Sequence, residues 1–192
     1  MGRELELKYA ATPALQQAIC EAFGGFSTIH METTYFDTPD GALADRKATL
    51  RLRKENDVTL CTLKTPLPDG SRGEWECPAA EIYAGIALLC RQGAPEDLCR
   101  IAEGGVGIVC GARFTRLAAP LPTADGMAEL ALDRGILLGG GKEMPLCEVE
   151  IEHKAGSDRA TLDLAAGIAQ RFGLTPEERS KFRRALILAK GE

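Results

Sequence analysis

The sequence predicts an α+β fold in which a meander of antiparallel strands curls into a β-barrel with helices packed outside. Three observations carry this reading. Several segments alternate charged and apolar residues with period two, the mark of strands with unlike faces. Runs with helical spacing of apolar residues lie near both ends of the chain and in its middle. The charged strand faces are almost purely Glu and Arg, while the opposite faces offer Leu, Val and Ile for helices to cover.

Residues 3–9 open the chain as a strand, with Glu4, Glu6 and Lys8 on one face and Leu5 and Leu7 on the other. Thr12-Pro13 then starts a helix with proline at its first position, and Leu15, Ala18, Ile19, Ala22 and Phe23 form its apolar stripe. Gly24-Gly25 ends it. Residues 31–37 read as a second strand closed by the turn Asp37-Thr38-Pro39-Asp40-Gly41. Residues 48–54, 58–64 and 72–77 continue as short antiparallel strands, with Pro66 to Gly70 as loop. Residues 79–103 have helical spacing, with a helix start at Ala94-Pro95-Glu96-Asp97.

Strands return at about 106–118, 127–133 and 145–153, and Gly139-Gly140-Gly141 forms a turn between the last two. Ser157 caps a helix that runs to Gly173, and a final helix ends near residue 189. Nothing marks a linker or an internal repeat, so residues 1–192 are expected to form a single domain.

Hydrophobic residues make up 45% and charged residues 27% of the 192 residues, enough apolar matter for a sizeable core. The net charge of −5 argues against a nucleic-acid partner but leaves room for local cations around a phosphate ligand. No apolar run approaches the length of a membrane span, and the start carries no signal segment or convincing myristoylation pattern. Seven cysteines, odd in number and without a C-x-x-C pair, argue against a zinc site or a disulfide framework. Free buried thiols in a reducing cytoplasm are the expectation.

The charged faces carry the functional signal. Glu4, Glu6 and Lys8 share one face, as do Arg51 and Arg53, then Arg72, Glu74 and Glu76, and finally Glu148, Glu150 and Glu152. A sheet with one face in water is the plain alternative. Such a face usually mixes in Thr, Ser, Gln and Lys, and three carboxylates in a row repel one another unless a cation sits among them. A barrel with a polar lumen satisfies both points if the lumen holds a highly charged phosphate ligand and metal ions. Arginine grips phosphate oxygens bidentately, and carboxylates supply the hard oxygens that magnesium or manganese requires.

Glu4-Leu5-Glu6-Leu7-Lys8 resembles the E-x-E-x-K opening of the CYTH family, the triphosphate tunnel metalloenzymes. The resemblance continues in order through nearly the whole chain. It takes in Tyr35-Phe36-Asp37-Thr38-Pro39-Asp40, Leu50-Arg51-Leu52-Arg53, Thr62-Leu63-Lys64 and Glu74-Trp75-Glu76. Phe114-Thr115-Arg116, Ala131-Leu132-Asp133-Arg134-Gly135, Glu148-Val149-Glu150-Ile151-Glu152 and Ser180-Lys181 complete it. The order is most like the amino-terminal domain of bacterial CYTH–CHAD proteins, whose members include inorganic triphosphatases. Leu117-Ala118-Ala119 departs from the family's frequent aromatic residue after the arginine, and Arg113 is an extra cation. No CHAD segment follows, which leaves a stand-alone enzyme or part of a longer chain.

The resemblance implies an eight-stranded antiparallel barrel forming a tunnel. It implies metal-dependent hydrolysis of inorganic triphosphate, with Mg2+ or Mn2+ held by Glu4, Glu6, Glu148, Glu150, Glu152 and Asp133. Phosphate would meet Lys8, Arg51, Arg53, Lys64, Arg116 and Lys181. Glu74 and Glu76 would orient the cations or bind a second metal. Catalysis would rest on Glu4, Glu6, Lys8 and Lys64 around an activated water. Class IV adenylate cyclases and thiamine or nucleoside triphosphatases share the family, and a silent module holding polyphosphate is a further alternative.

Other features have plainer readings. Gly139-Gly140-Gly141-Lys142 lacks the frame of a phosphate loop, and a hairpin turn fits it better. His30 and His153 have no partner spacing, and there is no nucleophile elbow. Trp75 lies on the apolar side of its strand and is expected to pack. Arg183 and Arg184, next to Lys181, read as solvated surface.

Overall fold

The computed structural model describes residues 2–68 and 71–191, with side chains from residue 5 onwards. Among these residues ten strands form one antiparallel sheet: β1 (Gly2–Glu4), β2 (Glu6–Ala10), β3 (Ser27–Asp37), β4 (Thr49–Glu55), β5 (Val58–Pro66), β6 (Arg72–Pro78), β7 (Gly107–Pro122), β8 (Met127–Gly139), β9 (Lys142–Ala155) and β10 (Thr175–Pro176). They are ordered β1-β6-β5-β4-β3-β7-β8-β9-β2-β10. The expected opening strand is thus two. Gly2 to Glu4 pair with β6, Glu6 to Ala10 pair with β9, and Leu5 between them accepts from the His153 N–H at 2.9 Å. Chain neighbours therefore stand near opposite ends of the strand order. Counted as chain runs, β1 with β2 is one, and β10 has only two residues, which leaves the eight runs that the sequence pattern marks.

Local chemistry fixes the helices α1 (Pro13–Phe23), α2 (Ala42–Asp45), α3 (Ile82–Arg91), α4 (Glu96–Glu103), α5 (Asp158–Phe172) and α6 (Lys181–Lys190). The hydroxyls of Thr12, Ser157 and Ser180 accept from the N–H groups of Leu15, Ala160 and Arg183 at the starts of α1, α5 and α6. The buried Asp37 carboxylate accepts from Leu43 and Ala44 N–H at 2.9 and 3.0 Å and so anchors α2. The β8–β9 connection is a two-residue turn with positive φ at Gly140 and Gly141, the hairpin that the glycine run predicts.

Two apolar layers cover one face of the sheet. α3 and α4 pack on Leu50, Cys61, Leu63, Trp75 and Cys77, while α1 and α5 pack on Leu130, Leu132, Val149 and Ile151. Each fully buried leucine or isoleucine there contributes about 1.5–3 kcal/mol. Helix α6 departs from the expected outside packing. It contacts Met31, Tyr35, Phe114, Leu137 and Leu146, which alternate with the first set and share the face of Asp133 and Glu148. Glycine permits this approach, since a Cβ at Gly139 would lie 2.4 Å from the Ala185 carbonyl oxygen and 2.7 Å from the Ala189 nitrogen.

The cysteines correct another expectation. Cys90 of α3 and Cys99 of α4 form a disulfide with Cα atoms 5.8 Å apart, while the other five are free. Packing of α3 against α4 brings the pair together, and no spacing motif announces it. Closing this short loop restricts the unfolded chain by about 2–3 kcal/mol. Alkylation under denaturing, non-reducing conditions should label five of the seven cysteines. Reductant should lower Tm by roughly 5–10 °C. Labelling of all seven would count against the bond. Among the described residues no helix is long and apolar enough to cross a membrane.

Candidate active site

Strand alternation builds the site. In β4, Leu50 and Leu52 turn to α3 and α4, so Arg51, Arg53 and Glu55 turn the other way. Lys64 of β5 and Arg72, Glu74 and Glu76 of β6 share that direction. From β2, β7, β8, β9 and α6 come Glu6, Lys8, Arg116, Glu129, Glu150, Glu152, Lys154 and Lys181. All of these line one cavity of about 430 Å3.

The two sides of the cavity differ in charge. On the β4–β6 side four cations (Arg51, Arg53, Lys64 and Arg72) meet three carboxylates (Glu55, Glu74 and Glu76). Arg53 lies 2.6 Å from Glu55 and 3.5 Å from Glu76, while Lys64 and Arg51 lie 3.2 and 3.9 Å from Glu74. The Nε groups of Arg53 and Arg72 are buried with no acceptor among the described residues. Burial, then the like charge of Arg51, pulls Arg53 below the ordinary arginine range. An anion seated here would supply the missing acceptors and relieve that repulsion.

On the β2–β9–β8 side four carboxylates (Glu6, Glu129, Glu150 and Glu152) meet two cations, Lys8 and Lys154. Glu6 and Glu129 both stand opposite Glu152 in the ladders, which puts three carboxylates in one row across the strands. Lys8 lies 3.3 Å from Glu6, and Lys154 lies 2.8 Å from Glu152 and 3.7 Å from Glu129. This surplus of hard oxygen donors suits a divalent cation.

Between the two sides is a buried ionic cluster. Arg116 grips Asp133 with two hydrogen bonds of 2.8 and 2.7 Å and also pairs with Glu150. Lys181 lies 2.7 Å from both Asp133 and Glu150 and pairs with Glu148, which Arg184 also holds. Burial would raise Glu150, but Lys181 and Arg116 hold it well below the carboxylate range. Burial raises Glu148 despite Lys181. Lys181 is buried too, yet Glu150, Asp133 and Glu148 lift it well above the lysine range. Ligand atoms of Asp133, Glu148 and Glu150 lie within 4.8 Å of one another, so by spacing they could hold a metal ion. Three cations already balance those three carboxylates, whereas among the described residues two, Lys8 and Lys154, meet the three carboxylates of the row through Glu152.

Of the residues expected from sequence, Glu6, Lys8, Arg51, Arg53, Lys64, Glu74, Glu76, Arg116, Glu150, Glu152 and Lys181 meet at the cavity. Asp133 and Glu148 lie behind it, fully buried. The backbone of Glu4 pairs in β1, and its side chain lies outside the described residues. Arg184 is a correction: its side chain is 12% exposed and holds Glu148, because α6 rests on the charged face, while Arg183 is exposed as expected. Glu55, Glu129 and Lys154 join the cavity without having been expected from sequence, although Glu55 and Lys154 continue the charged alternation of β4 and β9 by two residues and Glu129 lies four residues before Asp133 on the same face of β8. Trp75 is buried in the core, as expected, and His153 bonds Thr161 at 2.9 Å.

The family model for the CYTH domain matches residues 2–186. An inorganic triphosphatase of Haemophilus influenzae is 26% identical over 197 residues, covering 98% of this chain and 55% of the relative. The chain thus spans about half the length of that curated relative. Among solved structures, HpAC1 of Hippeastrum is described as a candidate adenylyl cyclase with a dominant triphosphatase activity. It superposes with a TM-score of 0.67 at 21% identity, covering 98% of this chain and 96% of its own. A candidate adenylate cyclase of Bacillus halodurans gives 0.65 at 20% identity, covering 94% and 96%. At these identities the structures establish a shared fold. With the family model matching nearly the whole length, the chain belongs to the CYTH domain family.

Proposed function

We propose that this protein hydrolyses inorganic triphosphate to pyrophosphate and phosphate, with Mg2+ or Mn2+, in a charged tunnel. The observation that carries this is the division of one cavity into a cation-rich and a carboxylate-rich side. In this reading the sheet closes as a barrel through the run that spans β1 and β2, within one domain. Arg51, Arg53, Lys64 and Arg72 bind phosphate oxygens on one side, and Lys8, Arg116 and Lys181 complete the grip. Glu6 and Glu152, with Glu150, Glu129 and the neighbouring Glu4, hold the metal ion. When bound, that ion neutralises phosphate charge and lowers the pKa of a water. Glu74, Glu76 and Glu55 fix the directions of the arginines and Lys64. Catalysis then comes from orientation and charge neutralisation at the phosphorus under attack.

The apolar stretch of the wall, with Ile29, Met31 and Phe114, favours a second reading. An organic group on the triphosphate, as in a nucleotide or thiamine triphosphate, would rest there. One assay separates the two. The protein is incubated with triphosphate or ATP, with and without each metal, and phosphate, pyrophosphate and cyclic AMP are measured. Metal-dependent phosphate release from triphosphate, with little from ATP, is expected. Cyclic AMP with pyrophosphate from ATP would make it a cyclase. Binding of triphosphate without turnover would leave a binding module.

A further inference from the structure

Gln16 is the one residue of α1 that turns a polar side chain fully into the layer between helix and sheet, at 3% exposure. Its Nε2 donates to the backbone carbonyls of Asp133 and Glu148 at 2.9 Å each, and its Oε1 accepts from Arg134 Nε at 3.0 Å. Every donor of the amide is thus satisfied. An apolar residue of that size would pack there without this polar burden, since neighbouring Leu15 and Ile19 belong to the same apolar layer.

The two carbonyls belong to residues directly opposite each other in the β8–β9 ladder. Their side chains emerge on the far face, where Asp133 holds Arg116 and Lys181, and Glu148 holds Lys181 and Arg184. Gln16 therefore clasps, from behind, the rung on which the two cavity cations are mounted. We propose that Gln16 is a positioning residue for Arg116 and Lys181, acting through the backbone of Asp133 and Glu148 without touching the ligand. This rests on the reading of the cavity as a triphosphate site.

The test uses the whole chain and a readout that needs neither metal nor turnover. Inorganic triphosphate is titrated calorimetrically in EDTA into the unsubstituted protein, Gln16→Met, Gln16→Glu and Ile19→Ala. Ile19 is fully buried on the same helix, so Ile19→Ala loses stability without disturbing the rung. Gln16→Met should bind about tenfold more weakly, in the range for residues that orient ligand-binding groups. Gln16→Glu, which aims a carboxylate at two carbonyl oxygens, should bind more weakly still. Ile19→Ala should lower Tm and leave Kd unchanged. In turnover the loss in Gln16→Met should fall on KM, with kcat held within about twofold. Unchanged binding in Gln16→Met, or equal weakening in Ile19→Ala, would overturn the positioning role alone. Absence of binding by the unsubstituted protein both in EDTA and with Mg2+ or Mn2+ would overturn the triphosphate reading and the positioning role together.

Discussion

Lys181→Met should destabilise the fold by about 3–5 kcal/mol, the range for removing one partner from a buried ionic group. Asp133 and Glu148 are fully buried and Glu150 is 4% exposed, so their charges cannot turn to water. With the ammonium gone, Arg116 and Arg184 remain to balance three carboxylates. The loss is read as a lower urea midpoint at constant slope. Adding Glu148→Gln to Lys181→Met restores equal charge and should recover part of the loss. Lys154 offers the contrast. It also meets two carboxylates, but its side chain is 40% exposed, so Lys154→Met should cost less than about 1 kcal/mol. A midpoint in Lys181→Met equal to that of the unsubstituted protein would mean that the buried carboxylates take up protons at little cost.

The residues that make this cluster are partly legible in the chain. Period-two alternation alone assigns Glu148 and Glu150 to one face, because a strand leaves a side chain only two directions. The helix starts at Thr12 and Ser157 are legible for a similarly local reason, a hydroxyl able to accept the first free N–H groups. The seat of helix α6 is not. Phe182, Ala185 and Leu186 give it an apolar stripe, but a stripe does not say which face of a sheet it meets. That choice depends on Gly139 letting the Ala185 and Ala189 backbone come close, a relation across more than forty residues. Arg184 reads as surface in the sequence for the same reason, since its place follows from the seat of α6.

The unexpected residues divide in the same way. Glu55 and Lys154 extend alternations that the sequence already displays, two residues further along β4 and β9, while Glu129 shares only the parity of Asp133, four residues away on β8. Gln16 has no such signal. It sits in an apolar helical stripe, and its partners are backbone carbonyls that no side-chain pattern announces. The change of partner at Leu5 and the Cys90–Cys99 bond are likewise products of tertiary pairing, without a local signal.

Arg53→Ala, Lys64→Ala and Glu6→Ala should each lower turnover of triphosphate by about 10²–10³, the usual loss for one preorganised charge at a reacting centre. Their folding should change little. Among the described residues Arg53 and Lys64 meet carboxylates with 25–33% of their side chains exposed, which water can still reach. Arg53 is the sharpest case. It lies deep beside Arg51 with a buried Nε that has no acceptor among the described residues, so its removal relaxes a like-charge contact in the free protein while depriving the anion of a donor. Stability and activity should therefore move apart in Arg53→Ala, with Tm held or slightly raised as kcat/KM falls. Arg113→Ala, on the exposed outer face beside Glu143, should change neither. The split between kcat and KM then locates the effect. If the arginine binds ground state and transition state equally, KM alone rises; if it meets charge that develops during phosphorus–oxygen cleavage, kcat falls as far as kcat/KM. The second outcome is expected, because the fixed guanidinium needs no reorganisation as that charge appears. Turnover within tenfold of the unsubstituted protein in all three variants would separate the charged wall from the chemistry.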